Sequence, residues 1–472
     1  LRVPISREDV TAGQSAFDPA LEASVFSGDS RRLTGNIFVP GDTVENLETG
    51  GSVGLRKKFV TGLESRLSLE SSRFEDNSLV NTLAPEYRNM LVLNLTQPLF
   101  KDFGIPINTT EMRIARNRVR EAVMGYLERA RQVGLQVEQA YYELALAESI
   151  WRLRISSREL AGELLEGNRE KFEQGMVSIS EVDEARAAQL GRQEAVIAAL
   201  QQVEIAENRI KDLLEIRMGD PLHALRLTTE PLNAVDAQYP APETALARAR
   251  QQRMELQRIQ VNLDNQDIRL DFLRNQTLPR LDMNAAVGLN GLSGGDRGSP
   301  IDPTRSTLLE GDYADSLDRM LSGDGYEWSV GLRFTYPLGN RAAEARYNQG
   351  RMEKRRIALQ IQRTEGQIET EVQNALVSVK RSRERIAVAQ EFEHLAQKTL
   401  AQEMQRLQMG LSDTFRVLDF QEKLVEARIR VANATVDFHR GLADLYRAIG
   451  DNLKRHNIVA VIDGADLDRD SW

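Results

Sequence analysis

Two periodicities alternate along this chain. In two long stretches apolar residues recur at steps of three, four and seven. One series is Val137, Tyr141, Leu144, Trp151 and Ile155; the other is Ile361, Ile368, Val372, Ala375, Val379 and Ile386. A spacing near 3.5 residues marks helices that pack along their length as coiled coils. Shorter segments alternate with period two. Over 326–336, Tyr326, Trp328, Val330, Leu332, Phe334 and Tyr336 fall on one face, and Glu327, Ser329, Gly331, Arg333 and Thr335 on the other. That alternation is the pattern of a strand with two unlike faces.

Proline placement permits very long helices. No proline falls between Pro106 and Pro221, and none follows Pro337. Proline breaks helix interiors, and both free stretches are rich in the strong helix formers Ala, Glu, Gln, Arg and Leu. Each stretch is interrupted once, at Glu173-Gln174-Gly175-Met176-Val177-Ser178 and at Gln408-Met409-Gly410-Leu411-Ser412-Asp413. Glycine ends one helix, and the Ser or Asp just beyond can cap the next. Two helical hairpins are predicted. The first arm of each, about 65 residues, should be roughly 100 Å long.

The two hairpins repeat one another. Gln97-Pro98-Leu99 precedes the first and Tyr336-Pro337-Leu338 the second. Gly175 matches Gly410, Val182 matches Val417, and Gly219-Asp220 matches Gly450-Asp451. Four coincidences in the same order indicate an internal duplication.

The strands preceding the hairpins repeat as well. Leu281, Met283, Ala285, Val287 and Leu289 alternate with Asp282, Asn284, Ala286, Gly288 and Asn290 over 280–290. In the first half, Leu91, Leu93, Leu95 and Leu99 share a face, and Pro19, Leu21, Ala23 and Val25 match Pro279, Leu281, Met283 and Ala285. An additional hairpin stands in the first half only: Val53, Leu55 and Phe59 alternate, Thr61-Gly62 turns, and Leu63, Leu67 and Leu69 alternate back. It either adds strands to the same sheet or packs above it. The segment 291–325, rich in Gly, Asp, Ser and Pro, reads as a long extracellular loop. Alternation alone fits a soluble sheet over a core equally well. The aromatic ends of 326–336, and a length that suits a tilted membrane strand, favour a transmembrane barrel.

Composition narrows the classes. Charged residues are 28% of the 472, and no apolar run of 18 or more is present, which excludes a spanning helix but not a barrel. A net charge of −9 argues against nucleic acid as the main partner. With no cysteine there is no disulfide, thiolate or cysteine-metal chemistry, and no lipid-anchored cysteine in this chain. Leu1 is not an initiator and no signal peptide precedes it, so the chain reads as mature or trimmed. The histidines His223, His394, His439 and His456 lack metal-ligand spacing. Gly294-Gly295 has no Walker partner. Glu310 and Asp312 lie in a polar loop and read as solvated charges. No enzyme, cofactor or metal is expected.

The order of strand pair, long helix, glycine turn and second helix, given twice, resembles the TolC family of outer-membrane efflux proteins over nearly the whole chain. The most specific stretches are Leu93-Asn94-Leu95-Thr96-Gln97-Pro98-Leu99-Phe100, Gly331-Leu332-Arg333-Phe334-Thr335-Tyr336-Pro337-Leu338, the two glycine turns, Val417-Leu418-Asp419, and Leu278-Pro279-Arg280-Leu281. The resemblance implies a mainly α fold with membrane β: a homotrimer sharing one β-barrel in the outer membrane, continuous with a periplasmic α-helical barrel. Residues 15–105 would be the first barrel segment with the extra hairpin, 106–218 the first periplasmic helical hairpin, and 219–240 an equatorial linker. Residues 241–278 would be an amphipathic helix of the helical barrel, 279–338 the second strand pair, 339–451 the second helical hairpin, and 452–472 an equatorial tail.

Function follows as an expectation. The protein would be the exit duct of a tripartite efflux or type I secretion system, with a periplasmic adaptor, an inner-membrane pump and outer-membrane lipid as partners. The resemblance places Gly175, Met176, Gly410 and Leu411 at the tips that dock the adaptor. Ser180, Glu181 and Asp419 fit the pore aperture, with Arg416 where the family has an acidic residue; Arg416 and Asp419 could pair between protomers, or all four could be solvated helix-surface groups. Tyr326, Trp328, Phe334 and Tyr336 would form the membrane aromatic girdle. One departure is that only a stub, Leu1 to Gln14, stands where the family has an amphipathic helix before its first strand. The alternatives are a periplasmic adaptor, which needs one hairpin flanked by small β-domains, and a structural coiled coil, which leaves the period-two segments unexplained.

Overall fold

Alternating segments produce six strands among the described residues, and all six pair into one antiparallel sheet. In the computed structural model, which describes residues 2–232, 239–298 and 307–460, they are β1 (Ala20–Leu33), β2 (Thr43–Lys58), β3 (Glu64–Asp76), β4 (Leu83–Pro98), β5 (Arg280–Asp296) and β6 (Gly325–Thr335). The sheet order is the chain order, β1 to β6. The extra hairpin is therefore β2–β3, inserted between β1 and β4. Its turn closes where expected: Gly62 N–H donates to Phe59 O (2.9 Å) and Phe59 N–H to Leu63 O (2.8 Å).

The helices are α1 (Arg2–Gln14), α2 (Ile105–Asn108), α3 (Thr110–Glu173), α4 (Ile179–Leu213), α5 (Pro242–Gln252), α6 (Met254–Gln276), α7 (Tyr313–Ser322), α8 (Arg341–Gln408), α9 (Thr414–Ile449) and α10 (Asn452–Arg455). At 64 and 68 residues, α3 and α8 are the long first arms. The N-terminal stub is the helix α1. The described chain divides into two units. One joins Leu1–Ala122 with Val261–Ala358 and contains the sheet; the other joins Val123–Gln260 with Leu359–Trp472 and contains most of the two hairpins.

In the helical unit the second apolar series becomes core. Ile368, Val372, Ala375, Val379 and Ile386 of α8 are buried with Ala434, Phe438, Leu442 and Leu445 of α9. In the first series only Leu144 is fully buried, against Val203, Ala206 and Ile210 of α4, with Trp151 packed beside them. Val182 and Val417, matched in the duplication, are both buried.

Three expectations are corrected. The stretch 241–278 is not one helix: Arg253 is extended (φ −70, ψ 115) and separates α5 from α6. Its buried guanidinium explains the break, since it binds Glu255 (2.9 Å), Glu371 (2.7 Å) and Ala448 O (3.2 Å). The segment 291–325 is not all loop. β5 runs on to Asp296, and α7 forms behind an Asp312–Asp315 capping box; residues 299–306 lie outside the described residues. Finally, Gly219 does not end α4 as Gly450 ends α9. Glu215 (φ 56) takes the left-handed position after Leu213, and Ile216 N–H returns to Lys211 O at 2.9 Å.

The linker forms a strap along the helical unit. Thr229 donates from N–H (3.1 Å) and Oγ1 (2.6 Å) to Glu148 Oε2 on α3. Leu227 N–H donates to Glu207 Oε1 on α4 (3.1 Å), and Glu230 N–H to the Tyr141 hydroxyl (3.2 Å). Its residues 233–238 lie outside the described residues. So do 461–472 of the C-terminal tail, whose start is tied down by Arg455 to Glu138 (3.2 Å) and Asn452 Nδ2 to Arg131 O (2.8 Å).

Candidate functional site

The register of the sheet sorts its side chains onto two unlike faces. Leu21, Ala23 and Val25 lie in rows with Leu55, Val53 and Gly51, then Leu67 and Leu69, then Leu93 and Leu91, then Val287 and Leu289, and finally Trp328 and Tyr326. This face is exposed although apolar: Val25 is 89% and Trp328 69% accessible. A contiguous apolar surface of this kind marks a membrane or partner contact. Of the four residues expected to form an aromatic girdle, Tyr326, Trp328 and Phe334 project from β6, and Tyr336 lies one residue past its end; all four are exposed. The other face is polar. Glu22 pairs with Arg56 (3.2 Å) and Arg66 (2.6 Å), Ser24 with Ser52 (2.8 Å), and Thr96 with Asn284 (3.1 Å).

Towards the loop end, the apolar face turns polar, and α7 covers it. Ser71 Oγ donates to the Tyr313 hydroxyl (2.9 Å), Tyr313 packs edge-on to Tyr87, Asn89 donates to Ser316, and Ser293 donates to Asp312 O. Close approach demands Gly291, where a Cβ would collide with the Ser316 carbonyl oxygen. Arg319 holds the preceding turn by donating to the carbonyls of Leu292, Leu308, Leu309 and Glu310 at 2.8–3.1 Å.

Both hairpin tips are built alike. Gly175 (φ +74) donates to Phe172 O (2.8 Å) and Met176 to Lys171 O (2.8 Å). Gly410 (φ +72) donates to Leu407 O (3.1 Å) and Leu411 to Arg406 O (2.8 Å). These are Schellman closures, whose left-handed residue is served by glycine without strain. Asp413 then caps α9 by accepting from Arg416 N–H (2.8 Å), whereas Ser178 stands at the start of α4 without a side-chain capping bond. Met176 (62% accessible) and Leu411 (65%) project outward. Phe172, Ile179, Met409 and Phe415 are exposed beside them and were missed from the sequence. Their signal was present: apolar residues within five positions of a glycine turn that has no core to bury them.

The four residues expected at the aperture separate. Glu181 faces the other hairpin: it accepts from Thr414 Oγ1 (3.2 Å), and Asn168 Nδ2 donates to Glu181 O (3.2 Å) and Thr414 Oγ1 (3.0 Å). Asn168 and Thr414 are buried. Ser180 is exposed. Arg416 and Asp419 are exposed too, each with a partner in its own helix, Asp413 at 3.8 Å and Lys423 at 2.6 Å. Within the chain they are not paired to each other. Further from the tip, buried Arg192 on α4 donates to Ser157 O (3.0 Å), Gln421 Oε1 (2.7 Å) and Leu418 O (3.1 Å), joining three helices. Burial lowers its pKa, and nearby Glu422 opposes that shift.

Two helices carry a second apolar stripe. On α8, Val377, Val388 and Leu395 are exposed, about 180° around the helix from the buried Ile368 series. On α4, exposed Leu190, Ile197 and Ile205 stand roughly opposite buried Val196, Ala199 and Val203. A helix with apolar stripes on opposite sides is built to lie between two neighbours.

Against known families, the profile described as outer membrane efflux protein matches residues 1–214 and 245–451. The chain belongs to the outer membrane efflux protein family. The matched spans leave out the strap and the tail and include both hairpins and all six strands. Among solved structures, the CmeC outer membrane channel of Campylobacter jejuni has a TM-score of 0.63 at 17% identity, covering 96% of this chain and 81% of that one. The outer membrane protein VceC of Vibrio cholerae gives 0.64 at 15%, covering 95% and 91%. The open state of the Neisseria gonorrhoeae MtrE outer membrane channel gives 0.60 at 15%, covering 96% and 85%. At these identities the likeness shows the fold. A comparison with curated protein sequences finds no match. Among the described residues, no helix is long and apolar enough to cross a membrane. This outer membrane efflux protein is an outer-membrane exit duct, and its sheet carries an exposed apolar face that ends in Tyr326, Trp328 and Phe334.

Proposed function

We propose that three copies of the chain assemble into one duct. Their sheets line an outer-membrane pore with the polar face inward, and their hairpins form a conduit in the periplasm. The observation that carries this reading is the pair of second apolar stripes on α4 and α8. Neither is covered by the described residues, and one copy's α4 stripe can pack against the next copy's α8 stripe to close a ring. The tips around Gly175, Met176, Gly410 and Leu411 dock a periplasmic adaptor bound to an inner-membrane pump. The duct itself performs no chemical step, and the energy for transport comes from the pump.

The exposed apolar tip residues make docking testable without straining either glycine. Met176→Glu with Leu411→Glu should abolish efflux while outer-membrane level and assembly stay normal; normal efflux would remove the tips from the docking contact. Ser180, Glu181, Arg416 and Asp419 form the aperture in this reading, with Arg416 and Asp419 exchanging their own-helix partners for one another across the ring. Arg416→Ala with Asp419→Ala should then raise resting conductance in planar bilayers, and unchanged conductance would take both residues out of the gate.

A further inference from the structure

β1 and β6 close the sheet on its two sides, and each is hydrogen-bonded to a single neighbour. Such edges present unpaired N–H and C=O groups, and inside a membrane these must find a partner. Between the two edges lies the β2–β3 hairpin, which has no counterpart among the described residues of the second half.

We propose that three copies close a single eighteen-stranded barrel, β6 of each copy pairing antiparallel with β1 of the next, so that the β2–β3 hairpin is part of the wall and sets the width of the pore. This inference rests on the trimeric reading above and adds to it the joint between copies and the size of the opening.

The hairpin is not an appendage. It is bonded to β1 from Thr43 to Arg56 and to β4 from Glu64 to Phe74, and it holds those two strands apart. Its faces continue the wall, with Val53, Leu55, Leu67 and Leu69 on the apolar side and Ser52, Arg56, Arg66, Ser68 and Glu70 on the polar side. An even number of strands per copy leaves β6 antiparallel to the next β1, which permits rotational closure. The edges also match in chemistry. With their turn-side ends level, Thr335 against Ala20, the apolar residues Phe334, Leu332 and Val330 face Leu21, Ala23 and Val25. In the same register Arg333 faces Glu22 on the polar side.

Strands about 4.8 Å apart and tilted about 40° give eighteen of them a diameter on the order of 35 Å; without the hairpin, twelve would give about 24 Å. The wider wall leaves an aqueous channel of the porin class rather than an interior filled by side chains.

The test begins with single-particle imaging of the full-length protein extracted from the membrane. Because the chain has no cysteine, a Val25→Cys, Val330→Cys double variant also reports the joint directly. A trimer with eighteen strands, and covalent dimers and trimers on oxidation, is the expected result. A trimer with twelve wall strands and the hairpin outside, or one without the cross-link, overturns the inference and leaves the duct intact. An assembly that is not a trimer overturns the duct reading first, and the barrel with it. Excision of Thr43–Asp76, which rejoins β1 to β4 on the loop side, should narrow the barrel by about one third. Should that variant fail to assemble, the cross-link in the full chain decides.

Discussion

Within the helical unit, α3 and α9 differ from α4 and α8 in how complete they are. Beyond residue 122, α3 exposes only Tyr126 and Phe172 among its large apolar side chains, and α9 exposes only Phe415; Phe172 and Phe415 sit at the tips. α4 and α8 bury one stripe each and leave another uncovered. Hairpin by hairpin the chain is a duplication, but packing pairs the helices differently, a finished helix with an unfinished one in each hairpin. The finished helices make one chain fold. The unfinished ones leave the surface that, in the assembly proposed above, the next copy covers.

Charging the outer stripes should have the largest effect. Ile197→Asp with Val388→Asp should abolish trimer formation in detergent, read by native mass spectrometry, with the helical circular dichroism of each chain retained. A stable trimer would show that these stripes face something else. The inner helices should respond in the opposite way. Phe438, buried among Ile368, Val372 and Leu442, should cost about 3–5 kcal/mol of chain stability on Phe438→Ala, measured by thermal unfolding, and should leave assembly of the remaining folded chains unchanged.

The smallest effect expected is in acid, at the α5–α6 break. Burial pushes the Glu255 carboxyl up, but the hydrogen bond and charge of Arg253 outweigh burial, and its pKa lies below the ordinary 4.5. A depressed carboxylate stabilises the fold above its ordinary pKa, and that contribution fades as pH falls through the folded value. Hydrogen exchange around 253–255 should quicken at acidic pH and do so less in Glu255→Gln. An identical pH response in the two proteins would mean that Arg253 holds the break without this pair.

Much of the architecture was legible because its signals are local. β6, expected over 326–336, forms over Gly325–Thr335 because eleven alternating residues leave no other way to segregate its faces. The tips were legible for the same reason, since only glycine takes the left-handed turn cheaply. The place of β2–β3 in the sheet was not, because strand order is a property of pairings between distant residues. α7 hid behind composition: Asp312 and Asp315 read as loop polarity, although their spacing is that of a capping box. Glu215 hid the end of α4 because a non-glycine holds the left-handed position there. The outer stripes of α4 and α8 escaped because a coiled-coil reading looks for one seam per helix, and Leu190, Ile197, Val377 and Val388 form a second.

The strap over residues 225–232 has a mechanical consequence. It fastens α3 at Glu148 and α4 at Glu207, some 27 and 32 residues from the turn at Gly175, which makes lever arms of about 40 and 48 Å. A swing of about five degrees around that fulcrum carries the tip about 3–4 Å, enough to part side-chain contacts there while the helices at the strap keep their packing.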